Sequence, residues 1–181
     1  EPAFIKAAVA ALIKSKTAVA PVALKLFQSI RKDHPDDWRP YWFLGALANI
    51  MHDDSSALEN YEKVTTLQRS NPDGWVGVAS VWYDRGEFQK AAEILEGAKQ
   101  FLPEEFRIYF VLGIAYQRIH KATDAALALE HAVQLNEKSI EALSALALVY
   151  DELKRYTDSD SLYERALALD PHNHLILNNY G

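Results

Sequence analysis

The chain has 181 residues, 49% of them hydrophobic and 24% charged, a balance that supports an ordered core and excludes a disordered segment. It has no cysteine, which excludes disulfides, thiolate chemistry and Cys-type zinc sites and leaves cytosol and periplasm equally open as compartments. The net charge is −6, with 7 Lys/Arg against 4 Asp/Glu in residues 1–50 and 12 against 21 in the rest; without a basic cluster this argues against a nucleic-acid scaffold.

Ala and Leu dominate, and Gly and Pro number only seven each, so helix is expected throughout. No run reaches the roughly 20 apolar residues of a membrane span, and Ala7–Ile13 is too short for one, so no membrane insertion is expected.

In chain order, the sequence repeats every 34 residues. Small residues recur at Ala11, Gly45, Ala79, Gly113, Ala147 and Gly181, and again at Ala23, Ala57, Ala91, Ala125 and Ser159. Bulky residues recur at Tyr41, Trp75, Tyr109, Leu143 and Leu177, and at Phe27, Tyr61, Leu95, Leu129 and Tyr163. A period of this size marks a solenoid, in which no unit buries its apolar face without a neighbour.

The units run 4–37, 38–71, 72–105, 106–139 and 140–173, with the start of a further unit at 174–181. In 106–139, Tyr109, Leu112, Gly113 and Tyr116 share one helical face, and Ala125, Leu129, Ala132 and Leu135 share another after the break at Arg118–Lys121. Each unit therefore predicts two short antiparallel helices. The small residues let the pair approach closely, and the bulky ones fill the remaining space. Pro35, Pro103 and Pro171 punctuate turns between units, while Gly86, His52, His120 and Lys154 occupy the tight turn inside them.

The series Trp75, Val78, Ala79, Trp82, Gly86, Phe88, Ala91, Leu95, Ala98 and Pro103 resembles the tetratricopeptide repeat (TPR) family. The likeness is strong over residues 38–181. The first unit, 4–37, diverges in its first helix, where Ala7 and Lys14 replace the usual aromatic. The resemblance implies an all-α fold, a right-handed superhelical solenoid of antiparallel helix pairs. It also implies a protein-binding scaffold, a concave groove lined by the first helices, and a protein or peptide as partner.

Helical spacing assigns to that groove Arg39, Trp42, Phe43, Ala46 and Asn49, then Asp73, Val76, Ser80, Tyr83 and Asp84. Next come Arg107, Phe110, Ile114, Gln117 and Arg118, then Glu141, Ser144, Leu148, Asp151 and Glu152; Ile5, Ala8, Leu12 and Ser15 extend the strip upstream. Trp42, Phe43 and Phe110 suit an apolar or amphipathic segment, and the shift from arginines to acids would orient it. The alternative is that Phe43, Phe110 and Val111 pack between first helices and leave ordinary surface.

Two known TPR modes do not fit. The carboxylate clamp of chaperone-tail binders keeps only Arg107, with Trp42, Ala46, Gly77 and Val111 in its other places. The asparagine ladder of sugar-transferase arrays is replaced by Phe43, Gly77, Val111 and Ala145.

No catalytic, cofactor or metal site is expected. His172 and His174 lack a third ligand. Asp158-Ser-Asp160 lacks the glycine and distal glutamate of a calcium loop, and Gly74 and Gly77 form no phosphate cradle. At the C-terminal end, Leu175, Ile176, Leu177 and Tyr180 carry no polar capping helix. That predicts a longer natural chain, or self-association through this end, or an accessory repeat arm of a larger enzyme or secretion-type complex.

Overall fold

The computed structural model describes residues 20–180, which form ten α-helices and no strand. The first helix of the divergent unit, with Ile5, Ala8, Leu12 and Ser15, lies outside the described residues, as does Gly181. The described residues fall into two compact units that divide between Arg85 and Gly86.

The first unit holds α1 (Ala20–Asp33), α2 (Trp38–Ile50), α3 (Asp54–Leu67) and α4 (Pro72–Asp84). Each helix packs on the next. The buried ring of Tyr61 on α3 is the centre of this packing. A Cβ at Gly45 of α2 would sit 2.9 Å from its Cδ1, and one at Gly77 of α4 would sit 2.5 Å from it. Both glycines are therefore needed, and what they make room for is an aromatic side chain rather than a second backbone.

The second unit holds α5 (Phe88–Ala98), α6 (Phe106–Arg118), α7 (Ala122–Leu135), α8 (Ile140–Glu152), α9 (Tyr156–Leu169) and α10 (His174–Tyr180). Consecutive helices again pack in sequence from α5 to α10. One apolar cluster, including Leu129, Leu143, Leu146, Leu162 and Tyr163, fills the space between α7, α8 and α9. At Gly113 of α6 a Cβ would lie 2.5 Å from Leu129 Cγ and 3.3 Å from the Ala125 carbonyl oxygen. Here side chain and backbone both claim the space.

The ends of these helices follow the repeat. Asp37, Asn71, Glu105 and Ser139, 34 residues apart, each accept a backbone N–H with their side chains at the start of α2, α4, α6 and α8. Asn173 does the same for Ile176 N–H in α10, at 3.3 Å. The tight turn within each pair contains a residue in left-handed conformation: His52 (φ 58°), Gly86 (φ 77°), His120 (φ 59°) and Lys154 (φ 60°). Only glycine adopts this geometry without a steric cost, so three of the four turns carry strain.

At the C-terminal end, Ile176 is buried in the α8–α9 core, which corrects its assignment to an exposed end. Leu177 and Tyr180 remain 44% and 39% exposed, where their repeat counterparts Leu143 and Leu146 are buried. The side chain of Leu175 lies outside the described residues.

Candidate functional site

The strip predicted on the first helices separates into side chains that serve the fold and side chains that face solvent. In the first unit Phe43 is 1% exposed and stacks on Phe27 of α1, with ring centroids 3.6 Å apart. Its place in the groove is therefore corrected: it is a core residue between α1 and α2. Trp42 is half-buried and packs against the same cluster.

Arg39 is exposed but folds back on Asp37, with Nη2 2.8 Å from Oδ2. This hydrogen-bonded guanidinium is the main influence holding the Asp37 carboxyl below the usual carboxylate range. Asn49, Asp73, Val76 and Tyr83 are half-buried along α2 and α4, and the Ser80 hydroxyl donates to the Gly77 carbonyl at 2.8 Å.

In the second unit Arg107 is held by Glu105, with Nε 3.0 Å from Oε1. Phe110 stacks on Phe106 with centroids 5.6 Å apart, and both Phe110 and Ile114 pack against the core cluster. They are half-buried, contributing at once to the core and to the surface. Arg118 lies over the Phe88 ring, 4.3 Å from its centroid.

Asp151 does not face a groove. It accepts hydrogen bonds from the hydroxyls of Ser159 and Tyr163 on α9, the latter at 3.0 Å, and so ties the α8–α9 pair together. Burial and this bond push the Tyr163 phenol up. The reason sequence spacing misplaced Asp151 is that helical periodicity gives a direction within about a quarter turn, and a short carboxylate at the edge of a face goes to the nearest buried donor.

What remains as a surface in this unit runs from α6 to α8. Gln117 Nε2 donates to Glu152 Oε1 at 2.7 Å, joining the two first helices across their common face. Phe110, Ile114 and Leu148, the last 36% exposed, supply the apolar part, with Arg107 at the other end. Among the described residues no group of three or more His, Cys, Asp or Glu is placed to hold a metal ion, and no helix is long and apolar enough to cross a membrane.

A second set of interactions escaped the sequence reading. Tyr116 donates to Glu96 at 2.8 Å, and Tyr150 donates to Glu130 at 2.6 Å, each tying a first helix to the preceding second helix. Burial chiefly, helped by the carboxylate, pushes both phenols up to about 12. A cation covers each ring: Lys121 Nζ lies 5.7 Å from the Tyr116 centroid, and the Arg155 guanidinium 3.8 Å from that of Tyr150. The signal was present, since Glu62, Glu96, Glu130 and Glu164 recur at the 34-residue period. Only the apolar series was read for it.

An all-helical array of antiparallel pairs with side-chain-capped first helices and closely packed small residues is a helical-repeat protein. Residues 140–173 match the family model described as Tetratricopeptide repeat. A structure of TTC0263, a thermophilic TPR protein of Thermus thermophilus, superposes with a TM-score of 0.68 at 21% identity, covering 89% of this chain and 88% of that one. The structure of YrrB, described as a TPR protein with an unusual peptide-binding site, superposes at 0.72 and 21% identity, covering 85% of this chain and 79% of that one.

Among curated proteins, the N-terminal acetyltransferase A complex subunit-like protein C418.02 of Schizosaccharomyces pombe is 29% identical over 91 residues, 50% of this chain and 13% of that protein. The chain spans less than a third of the length of the first curated relatives it matches. One repeat, residues 140–173, thus matches the tetratricopeptide repeat model, and the fold is the one that these solved TPR proteins have.

Proposed function

We propose that the chain is a protein-interaction scaffold that binds a peptide or helix of a partner on the first-helix face of its repeats. The tetratricopeptide fold supports the general role of interaction scaffold. The observation that carries the finer reading is the α6–α8 face. There the Gln117–Glu152 bond bridges neighbouring first helices beside Phe110, Ile114 and Leu148, with Arg107 and Glu152 supplying opposite charge along it. An apolar centre with a charged rim is the anatomy of a protein interface.

A peptide array probed with the wild-type chain and with Arg107→Ala and Leu148→Ala variants tests the reading. Peptides that bind the wild type should lose roughly tenfold or more in affinity to at least one variant. Unchanged binding by both would remove the face from consideration.

A second reading is favoured by the open side of α10, where Leu177 and Tyr180 are exposed although their counterparts in the preceding unit are buried. In that reading the face packs on a helix from another copy of the chain. Light scattering over a concentration series should then show association that Leu177→Lys abolishes. A monomer at every concentration would end it.

A further inference from the structure

The Glu–Tyr–cation arrangement occurs twice in the second unit, and one occurrence is complete where the other is open. Around Tyr150 the complete set is a closed network. Arg155 stacks on the Tyr150 ring, places Nη1 3.6 Å from Glu130 Oε1, and places Nε 2.8 Å from Asp158 Oδ2. Two carboxylates and one phenol ring thus contact one exposed guanidinium.

One period earlier stand Glu96, Tyr116 and Asp124, identical in type to Glu130, Tyr150 and Asp158. The residue matching Arg155 is Lys121. Its ammonium lies 5.7 Å from the Tyr116 centroid and makes no ion pair within 4.0 Å to Glu96 or Asp124 among the described residues. Asp124 has neither an ion pair nor a side-chain hydrogen bond among them.

Beside this set lies a cavity of about 390 Å³ between α5, α6 and α7. Its walls include Glu96, Tyr109, Tyr116, Asp124, Leu127 and His131. Leu127 is 62% exposed beside it. His131 packs its ring against Tyr109, with centroids 4.0 Å apart, and its Nε2 is buried without a hydrogen-bond partner.

We propose that this cavity is a receptor for an arginine side chain of a partner protein, the same group that Arg155 supplies internally one repeat later. The planar guanidinium satisfies the geometry as a lysine does not. It stacks on the Tyr116 ring while its fork donates toward Asp124 and Glu96. Glu96 already accepts from Tyr116 and pairs with Lys99 at 2.9 Å, but a carboxylate has capacity for further donors. Glu130 shows this directly, since its Oε1 faces both the Tyr150 hydroxyl and Arg155.

The cavity is distinct from the first-helix face. Tyr109, Leu112 and Tyr116 lie about a third of a turn around α6 from Phe110, Ile114 and Gln117 by helical spacing.

The test is an NMR titration of the full chain with N-acetyl-arginine amide, with N-acetyl-lysine amide as control, read at the ring resonances of Tyr109, Tyr116 and His131. Saturable shifts with the arginine probe are expected at roughly millimolar concentration, the scale for so small a ligand. The lysine probe should bind at least about fivefold more weakly. Lys121→Arg, which supplies the missing guanidinium in cis, should abolish the response, and so should Asp124→Asn. Thermal melts of both variants establish that they are folded, as expected for substitutions at exposed positions.

No saturable shift, equal response to the two probes, or a response that survives both variants would overturn the proposal. Arg107→Ala and Leu148→Ala should leave the titration unchanged, so the outcome is independent of whether the first-helix face binds a peptide.

Discussion

The place around Tyr150 and the place around Tyr116 share a glutamate, a tyrosine and an aspartate and differ in the cation beside them. With Arg155, two acids and a phenol become an internal fastening between α7, α8 and the start of α9. With Lys121, the same acids and phenol are left around a cavity. Arginine and lysine differ little in charge but greatly in shape: the guanidinium reaches two carboxylates at once while lying flat on a ring, whereas the ammonium is a point charge. The first unit differs at the cation position and at its neighbours alike. It has Asp53 there, with Ala48 in place of the tyrosine and Gln28 in place of the glutamate, and no such network forms.

The largest effect should come from the packing that frames the two places. Gly113 in α6 corresponds to Ala147 in α8, so the α6–α7 pair is closed more tightly against Leu129. Gly113→Val should therefore cost about 1–3 kcal/mol by overpacking, measured as a shift in the urea midpoint. Ala147→Gly creates no clash and should cost only about 1 kcal/mol of helix propensity. Equal costs would mean that the two pairs are built alike, contrary to the contact at Gly113.

The turns that lead into the two cations give a smaller effect. His120 and Lys154 both sit in left-handed conformation directly before Lys121 and Arg155. Replacing either with glycine removes a strain of about 1–2 kcal/mol and returns part of it as unfolded-state entropy, for a net gain of up to about 1 kcal/mol. Gly86→Ala should lose a comparable amount, although a Cβ there meets nothing within 4 Å. Thermal melts of the three variants check this. A gain at only one of His120 and Lys154 would show that the turns, and not the cations alone, distinguish the two places.

A third effect depends on pH and should be common to both places. The Tyr116 and Tyr150 phenols are raised from 10 to about 12 in the folded chain. Between those values the folded state holds protons that the unfolded state has released. The stability they contribute is therefore full below pH 10 and is lost as pH rises toward 12. Tyr116→Phe and Tyr150→Phe should each flatten the alkaline fall in denaturation midpoint. A wild-type midpoint constant from pH 9 to 12 would contradict the raised phenols.

Much of this architecture was legible in the chain because small and bulky residues keep the period through residues 38–173, where helices touch. The left-handed turns were also legible, since Gly86 marks a position that His52, His120 and Lys154 share. The face of each first helix was less so. Phe43 and Phe110 stand one residue apart in the period: Phe43 shares its column with Gly77 and Ala145, which are buried, and Phe110 shares its column with Trp42, Val76 and Ser144, which are half-buried. Asp151 reads as surface acid until Ser159 and Tyr163 are seen to meet it. Such contacts join residues of different series, so no single periodic column reveals them. The glutamates at 62, 96, 130 and 164 show that polar columns carry fold information as well.

The smallest expected effect isolates the cation itself. Arg155 bridges Glu130 and Asp158, whereas Lys121 bridges neither counterpart, so Arg155→Ala should lower the melting temperature and Lys121→Ala should leave it unchanged. Both side chains are solvent-exposed, and exposed pairs contribute little each, so differential scanning calorimetry at low ionic strength is the appropriate measurement. Raising salt to about 1 M shortens the screening length to about 3 Å and should shrink the Arg155 effect toward the part that comes from stacking on Tyr150. If Lys121→Ala destabilises as much as Arg155→Ala, the ammonium already occupies its site in solution, and the distinction between a filled place and an open one disappears.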